Sequence, residues 1–230
     1  AKTTAADVLA QMPAAKQAAY NKLIGDLSST GEEGVLMLVN MINAPGKGSN
    51  ANVDYALSGL THYVMAKGEE NARLVTAKAY LKALEMVNER ETKAFIIRQL
   101  QMLGKDECID VLASYLNDES LSGPAARALA SNGSQKAGQA LVAALKSRTG
   151  SSKTQKDVIR AITDARVDGA EPVLLVLQGA SDPNMQKEVL YALSCVGSSN
   201  SLPVLAKAAE NAGYTMEVTG ANEAYIALLK

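Results

Sequence analysis

His62 is the single histidine of this 230-residue chain, and it stands beside Tyr63 and close to Tyr55 in a stretch of helical periodicity. An imidazole among phenols can form a polar binding spot or move a proton. No carboxylate or thiol lies at helical spacing from it, so the pattern reads as a structural histidine. Cys108 and Cys195 fall in different repeats, each inside a helical pattern, and read as small buried hydrophobes, not as a disulfide. One histidine and two separated cysteines cannot assemble a zinc-type cluster, so no metal or other cofactor is expected. Ala44-Pro45-Gly46-Lys47-Gly48-Ser49 has the look of a phosphate-cradling loop. A P-loop, however, needs a glycine where Met41 stands and follows a strand, whereas this segment follows a helical pattern. Glu69-Glu70 is a carboxylate pair in name only, since neighbours on a helix start point apart, and its expected role is to favour a helix N-terminus.

The charge pattern is more informative. Lys146, Arg148, Lys153, Lys156 and Arg160 face Asp157 alone in their stretch, and Lys153, Lys156 and Arg160, at i, i+3 and i+7, share one helical face. Arg127 and Arg98 occupy the matching position one and two hairpins earlier. If second helices line the concave side of a helical stack, then Arg98, Arg127, Lys153, Lys156 and Arg160 are the candidate partner-binding residues, a basic stripe facing an acidic partner. The competing reading is a solvated face with scattered lysines. No residues are assigned a catalytic role.

The elements that must carry these side chains announce themselves by repetition. A helix ending in an apolar pair and a break recurs as Arg98-Gln-Leu100 to Gly104, Arg127-Ala-Leu129 to Gly133, Arg160-Ala-Ile162 to Arg166, and Tyr191-Ala-Leu193 to Gly197. Eight residues after each break stands a leucine: Leu112, Leu141, Leu174 and Leu205. A period of about thirty residues marks a solenoid, in which each hairpin buries its apolar stripe only against its neighbours. The expected fold is all-α, an α-solenoid of about six antiparallel hairpins, with residues 1–230 as one helical-repeat domain and essentially no sheet. Local signals add detail. Pro13 belongs in the first turn of the second helix, and Thr30 to Glu33 and Asp168 to Glu171 read as capping boxes.

Composition agrees and excludes several classes. The 38 alanines and 27 leucines against one phenylalanine and no tryptophan suit closely approaching aliphatic ridges. A net charge of -1 gives no whole-chain attraction to nucleic acid or anionic membrane. No apolar run, Val173 to Leu177 among them, is long enough to span a bilayer.

The turn Ser181-Asp182-Pro183-Asn184, followed by Val189, Ala192-Leu193 and Gly197, resembles a HEAT repeat of the short bacterial kind, with the match strongest over roughly residues 91 to 213. The family's turn aspartate and second-helix arginine are present as Asp118 and Arg127. The sixth hairpin departs from them with Gln186-Lys187-Glu188, so the resemblance implies the stack of hairpins without a continuous aspartate-to-arginine ladder. The segments GEEGVLMLVNMINAPGKGSN and AGYTMEVTGANEAYIALLK resemble secreted bacterial multidomain proteins of the Bacteroides type, in which helical repeats accompany a disaccharide-hydrolase domain. That resemblance implies a periplasmic or secreted protein whose catalysis lies outside this chain. The opening Ala1-Lys2-Thr3-Thr4 is equally compatible with a cytoplasmic one.

Together these readings point to a non-catalytic scaffold or interaction module, part of a longer polypeptide, whose partner is a protein or an adjoining domain. Two alternatives remain. A helical-repeat nucleic-acid binder would need basic residues interleaved with aromatics, and a repeat-type lyase would need a reactive cysteine or histidine in a groove.

Overall fold

The computed structural model describes residues 2–180 and 182–230, and among them there are helices, turns and no strand. Ser181, the first residue of the HEAT-like turn, lies outside the described residues. The chain divides into two compact units, Ala1–Val111 and Leu112–Lys230.

In the first unit six helices form consecutive pairs: α1 (Ala5–Leu9) and α2 (Gln17–Ser29), α3 (Gly31–Asn40) and α4 (Ala51–Val64), α5 (Glu70–Met86) and α6 (Arg90–Leu103). A one-turn 3-10 segment, Asp106–Cys108, then leads into α7 (Ile109–Ala113). Odd-numbered helices pack on one another in one row and even-numbered helices in a second. Between the rows lie Leu27, Leu38, Leu57, Leu60, Ile96 and Leu100, all essentially removed from water. Tertiary burial of one stripe per helix, and not propensity alone, holds such short helices. The α2–α4 seam is unusually close. A Cβ on Gly59 would collide with the Tyr20 hydroxyl, whereas Gly25 has room, its Cβ meeting the Tyr63 hydroxyl at 3.8 Å.

The second unit repeats the arrangement with α8 (Ser122–Asn132), α9 (Gln135–Ser147), α10 (Ser152–Ala165), α11 (Glu171–Leu177), α12 (Pro183–Val196), α13 (Leu202–Asn211) and α14 (Ala221–Leu229). Helices α8, α10, α12 and α14 pack in succession, and α9 and α11 lie against them. All four anchors of the repeated phrase and all four leucines that follow its breaks are buried, as an apolar stripe shared between successive hairpins requires. The chain also folds one helix pair beyond the hairpins counted in the sequence, α13 with α14.

The breaks differ in mechanism. Gly133 ends α8 with a left-handed φ of 67°, the usual reason for a glycine there. Gly104 and Gly197 keep φ near -72° and -73°. They are glycines because a Cβ would strike the anchor carbonyl of Leu100 or Leu193, and behind it Cys108 Sγ or Ser201 Oγ, each at 2.7 Å. The chain turns so tightly against the end of the preceding helix there that only a hydrogen fits.

Four expectations need correction. Thr30 does not cap α3. Its backbone is helical and its hydroxyl donates to Leu27 O at 2.5 Å, because α2 passes into α3 with only Thr30 between them and Gly31 taking the positive φ. Asp168 does not cap α11 either, since Ala170 is the residue before it and Glu171 is drawn to a distant turn. Pro13 precedes α2, which begins at Gln17. Cys195 is only half-buried, whereas Cys108 is fully buried. Conversely, Thr4 and Asp7 form a reciprocal capping box on α1, with the Asp7 N–H donating to Thr4 Oγ1 at 3.2 Å and the Thr4 N–H to Asp7 Oδ2 at 2.9 Å.

Candidate functional site

Helix α10 presents most of the expected stripe. Ser151 starts it by accepting from the Thr154 N–H at 3.2 Å, and Val158, Ile159 and Ile162 pin its other face to the core. Period 3.6 then sends Lys153, Lys156 and Arg160 outward. Lys153 Nζ pairs with Asp157 Oδ2 at 2.7 Å, and that same oxygen accepts from Ser122 Oγ of α8 at 2.7 Å. Arg160 reaches across to α12, donating from Nε and Nη2 to Glu188 Oε1 at 2.9 and 2.6 Å, and this contact raises its already high guanidinium pKa. Lys156 is half-buried and Arg127, on α8, is exposed; both lie on the α8 and α10 part of the unit. Arg127 hangs over Gly123, where a Cβ would meet its Nη1 at 3.3 Å and Asp157 Oδ2 at 3.7 Å. Among the described residues the ion pairs of this face are Lys153 with Asp157 and Arg160 with Glu188, and with the exposed Asp164 one turn past Arg160 on α10 the face holds four cations against three carboxylates.

Arg98 belongs to the first unit. It lies on α6 with Asp54, Glu91, Asn43, Asn50 and Phe95 around a small cavity of about 160 Å³. Burial raises the Asp54 carboxyl pKa, and the charge of Arg98 partly offsets that. The glycine-rich loop beside it is clasped by its flanking amides. Asn43 N donates to Asn50 Oδ1 at 2.7 Å, and Asn50 Nδ2 to Asn43 O at 3.0 Å. Those bonds hold a loop on a helix pair and do not line up backbone N–H groups as a phosphate cradle does.

A charged cluster that the sequence did not reveal sits elsewhere in this unit. Arg73 is 5% exposed and spends its guanidinium on Glu70 (Nη2 to Oε1, 2.8 Å), Glu107 Oε1 (2.6 Å) and the Leu103 carbonyl (3.0 Å). Lys105 Nζ adds a bond to Glu70 Oε2 at 3.0 Å. Hydrogen bonds from Arg73 and then Lys105 hold the Glu70 carboxyl at about 2. Glu107 feels burial most, which would raise it, but the bond from Arg73 and the Lys105 N–H together leave it lowered. The cluster ties the start of α5 to the end of α6, and each charge is answered. Next to it Cys108 is buried, and that burial, with the neighbouring Glu107 charge, pushes its thiol up to about 12. A thiol so far from ionisation is a packing group.

His62 is exposed on α4. Among the described residues no three histidine, cysteine, aspartate or glutamate side chains come together as metal ligands would, and no helix is long and apolar enough to cross a membrane. In the second unit the Glu171 carboxylate bridges to the turn before α13, accepting from Ser201 Oγ at 2.5 Å and from the Ser198 N–H at 2.8 Å. Those bonds, that from Ser201 foremost, lower its pKa. The chain matches no protein-family model, and no curated protein matches it.

Proposed function

We propose that this chain is a non-catalytic helical-repeat interaction module of the HEAT-like kind, which engages a carboxylate-bearing protein surface through the outer face of α8 and α10. The carrying observation is the excess of cation over carboxylate on that face, with Arg127 and Lys156 left over once Lys153 and Arg160 have met Asp157 and Glu188. Arginine grips carboxylates through two parallel donors, and a repeated scaffold sets such groups in a row at fixed spacing. The partner is a second protein or an adjoining domain, including a carbohydrate-active one of the same secreted polypeptide.

Binding to an immobilised poly-glutamate peptide tests the reading. Capture is expected at about 20 mM salt and should weaken steeply by about 200 mM, because exposed charges are screened over a Debye length. Arg127→Glu with Lys156→Glu should abolish it with unchanged helicity. Retention by that double variant would overturn the assignment of the face.

A further inference from the structure

The α2–α4 seam of the first unit holds two phenols whose hydroxyls the packing does not use. Tyr20 of α2 and Tyr55 of α4 stand with ring centroids 5.0 Å apart and planes tilted by 40°. Among the described residues neither hydroxyl is hydrogen-bonded to another group of the protein. Tyr80 of α5 differs, since its buried hydroxyl lies 3.4 Å from Thr61 Oγ1 and donates to Leu57 O at 3.5 Å. Two phenylalanines would make the same ring contact as Tyr20 and Tyr55, so that contact leaves the two phenols unexplained. The pair is both fixed and open. The Tyr20 hydroxyl lies over Gly59, which holds its ring in place, while Tyr55 is 41% exposed and within reach of a dissolved reagent.

We propose that Tyr20 and Tyr55 are an oxidative modification site, at which a one-electron oxidant joins the two rings into a dityrosine that staples α2 to α4. Each phenol gives one electron to the oxidant and its hydroxyl proton to water, which leaves two phenoxyl radicals. A carbon–carbon bond forms between the ring positions next to the two oxygens. The hydrogen on each of those carbons is then lost to water and replaced by one on the oxygen, so both phenols are restored. The net change is a loss of two electrons and two protons. Two equivalents of a one-electron oxidant take up the electrons, or a peroxidase passes them to one hydrogen peroxide, which leaves as two waters. Coupling within the pair outruns coupling between chains because the partner ring is already in contact and no encounter is needed.

Photo-oxidation of the chain by a ruthenium tris-bipyridyl complex with persulfate tests this. Dityrosine fluorescence is expected in the monomer band of a denaturing gel, with a yield per chain that does not fall on dilution. Trypsin should then release peptide 17–22 joined to peptide 48–67, lighter than their sum by two hydrogens. Tyr20→Phe and Tyr55→Phe should each remove that species and keep the parent's circular-dichroism spectrum. Tyr63→Phe should retain it, although Tyr63 lies on the same peptide and its hydroxyl approaches α2 at Gly25. The cross-linked monomer should melt at least about 4 °C above the untreated chain, because the bond closes a loop in the unfolded state. Cross-links found only between chains, a joined peptide that survives Tyr55→Phe, or an unchanged melt would overturn the proposal.

Discussion

Arg160 of α10 and Glu188 of α12 are joined by two hydrogen bonds to one carboxylate oxygen, at 2.9 and 2.6 Å, across 28 residues of sequence. The bond ties successive helices of one row and removes Arg160 from the pool of available cations. Its energetic weight is small, because Arg160 is 57% exposed and water screens the pair. A double-mutant cycle of Arg160→Ala and Glu188→Ala by urea unfolding should give a coupling of about 0.2–1 kcal/mol. Arg160→Glu, which sets two carboxylates together, should destabilise more than Lys156→Glu.

Two glycines on one seam should answer oppositely to alanine. Gly59→Ala drives a methyl into the Tyr20 hydroxyl, and overpacking of this kind costs about 1–3 kcal/mol. Gly25 sits inside α2 with only an ordinary van der Waals contact ahead of its Cβ and no positive φ. There alanine should stabilise by about 0.5–1 kcal/mol, through helix propensity. Chemical denaturation of both variants checks the contrast, and equal effects would contradict the close approach of α2 and α4.

Acid should loosen the first unit at the Arg73 cluster. Glu70 is held at about 2 against an ordinary value of 4.5. A depressed carboxylate contributes stability that is complete above its unfolded pKa and is lost as pH falls through the folded one, here between about pH 5 and pH 2. Glu70→Gln should therefore melt lower than the parent at pH 7 and show a smaller fall between pH 5 and pH 2. Thermal melts followed by circular dichroism across that range provide the measurement.

The two thiols should separate kinetically. Cys108 is buried, with its thiol pushed up to about 12, and Cys195 is half-buried. In the native protein at pH 8 a chromogenic disulfide reagent should modify Cys195 first and reach Cys108 only at the rate of opening or unfolding. Mass spectrometry of the labelled peptides identifies the site. Rapid native labelling of Cys108 would contradict its burial.

What the sequence by itself determined is the repeating helical frame. Leu100, Leu129, Ile162 and Leu193, with the leucines eight residues past each break, are the buried stripe because burial of one face every 3.6 residues is written directly into residue order. Asp182 with Pro183 was legible for the same local reason, the Asp182 side chain accepting from the Asn184 N–H at 3.0 Å. The outward direction of Lys153, Lys156 and Arg160 followed from the same period. Tertiary structure alone decided which charges are answered. Arg73 meets Glu107 across 34 residues and Ser122 meets Asp157 across 35, separations at which no local pattern links the partners. It also decided the false capping boxes. Thr30 gives its hydroxyl to Leu27 O because two helices run together there, and Glu171 leaves its own helix start for Ser198 and Ser201. A polar side chain takes whichever satisfied geometry packing offers, and packing is set by residues far along the chain.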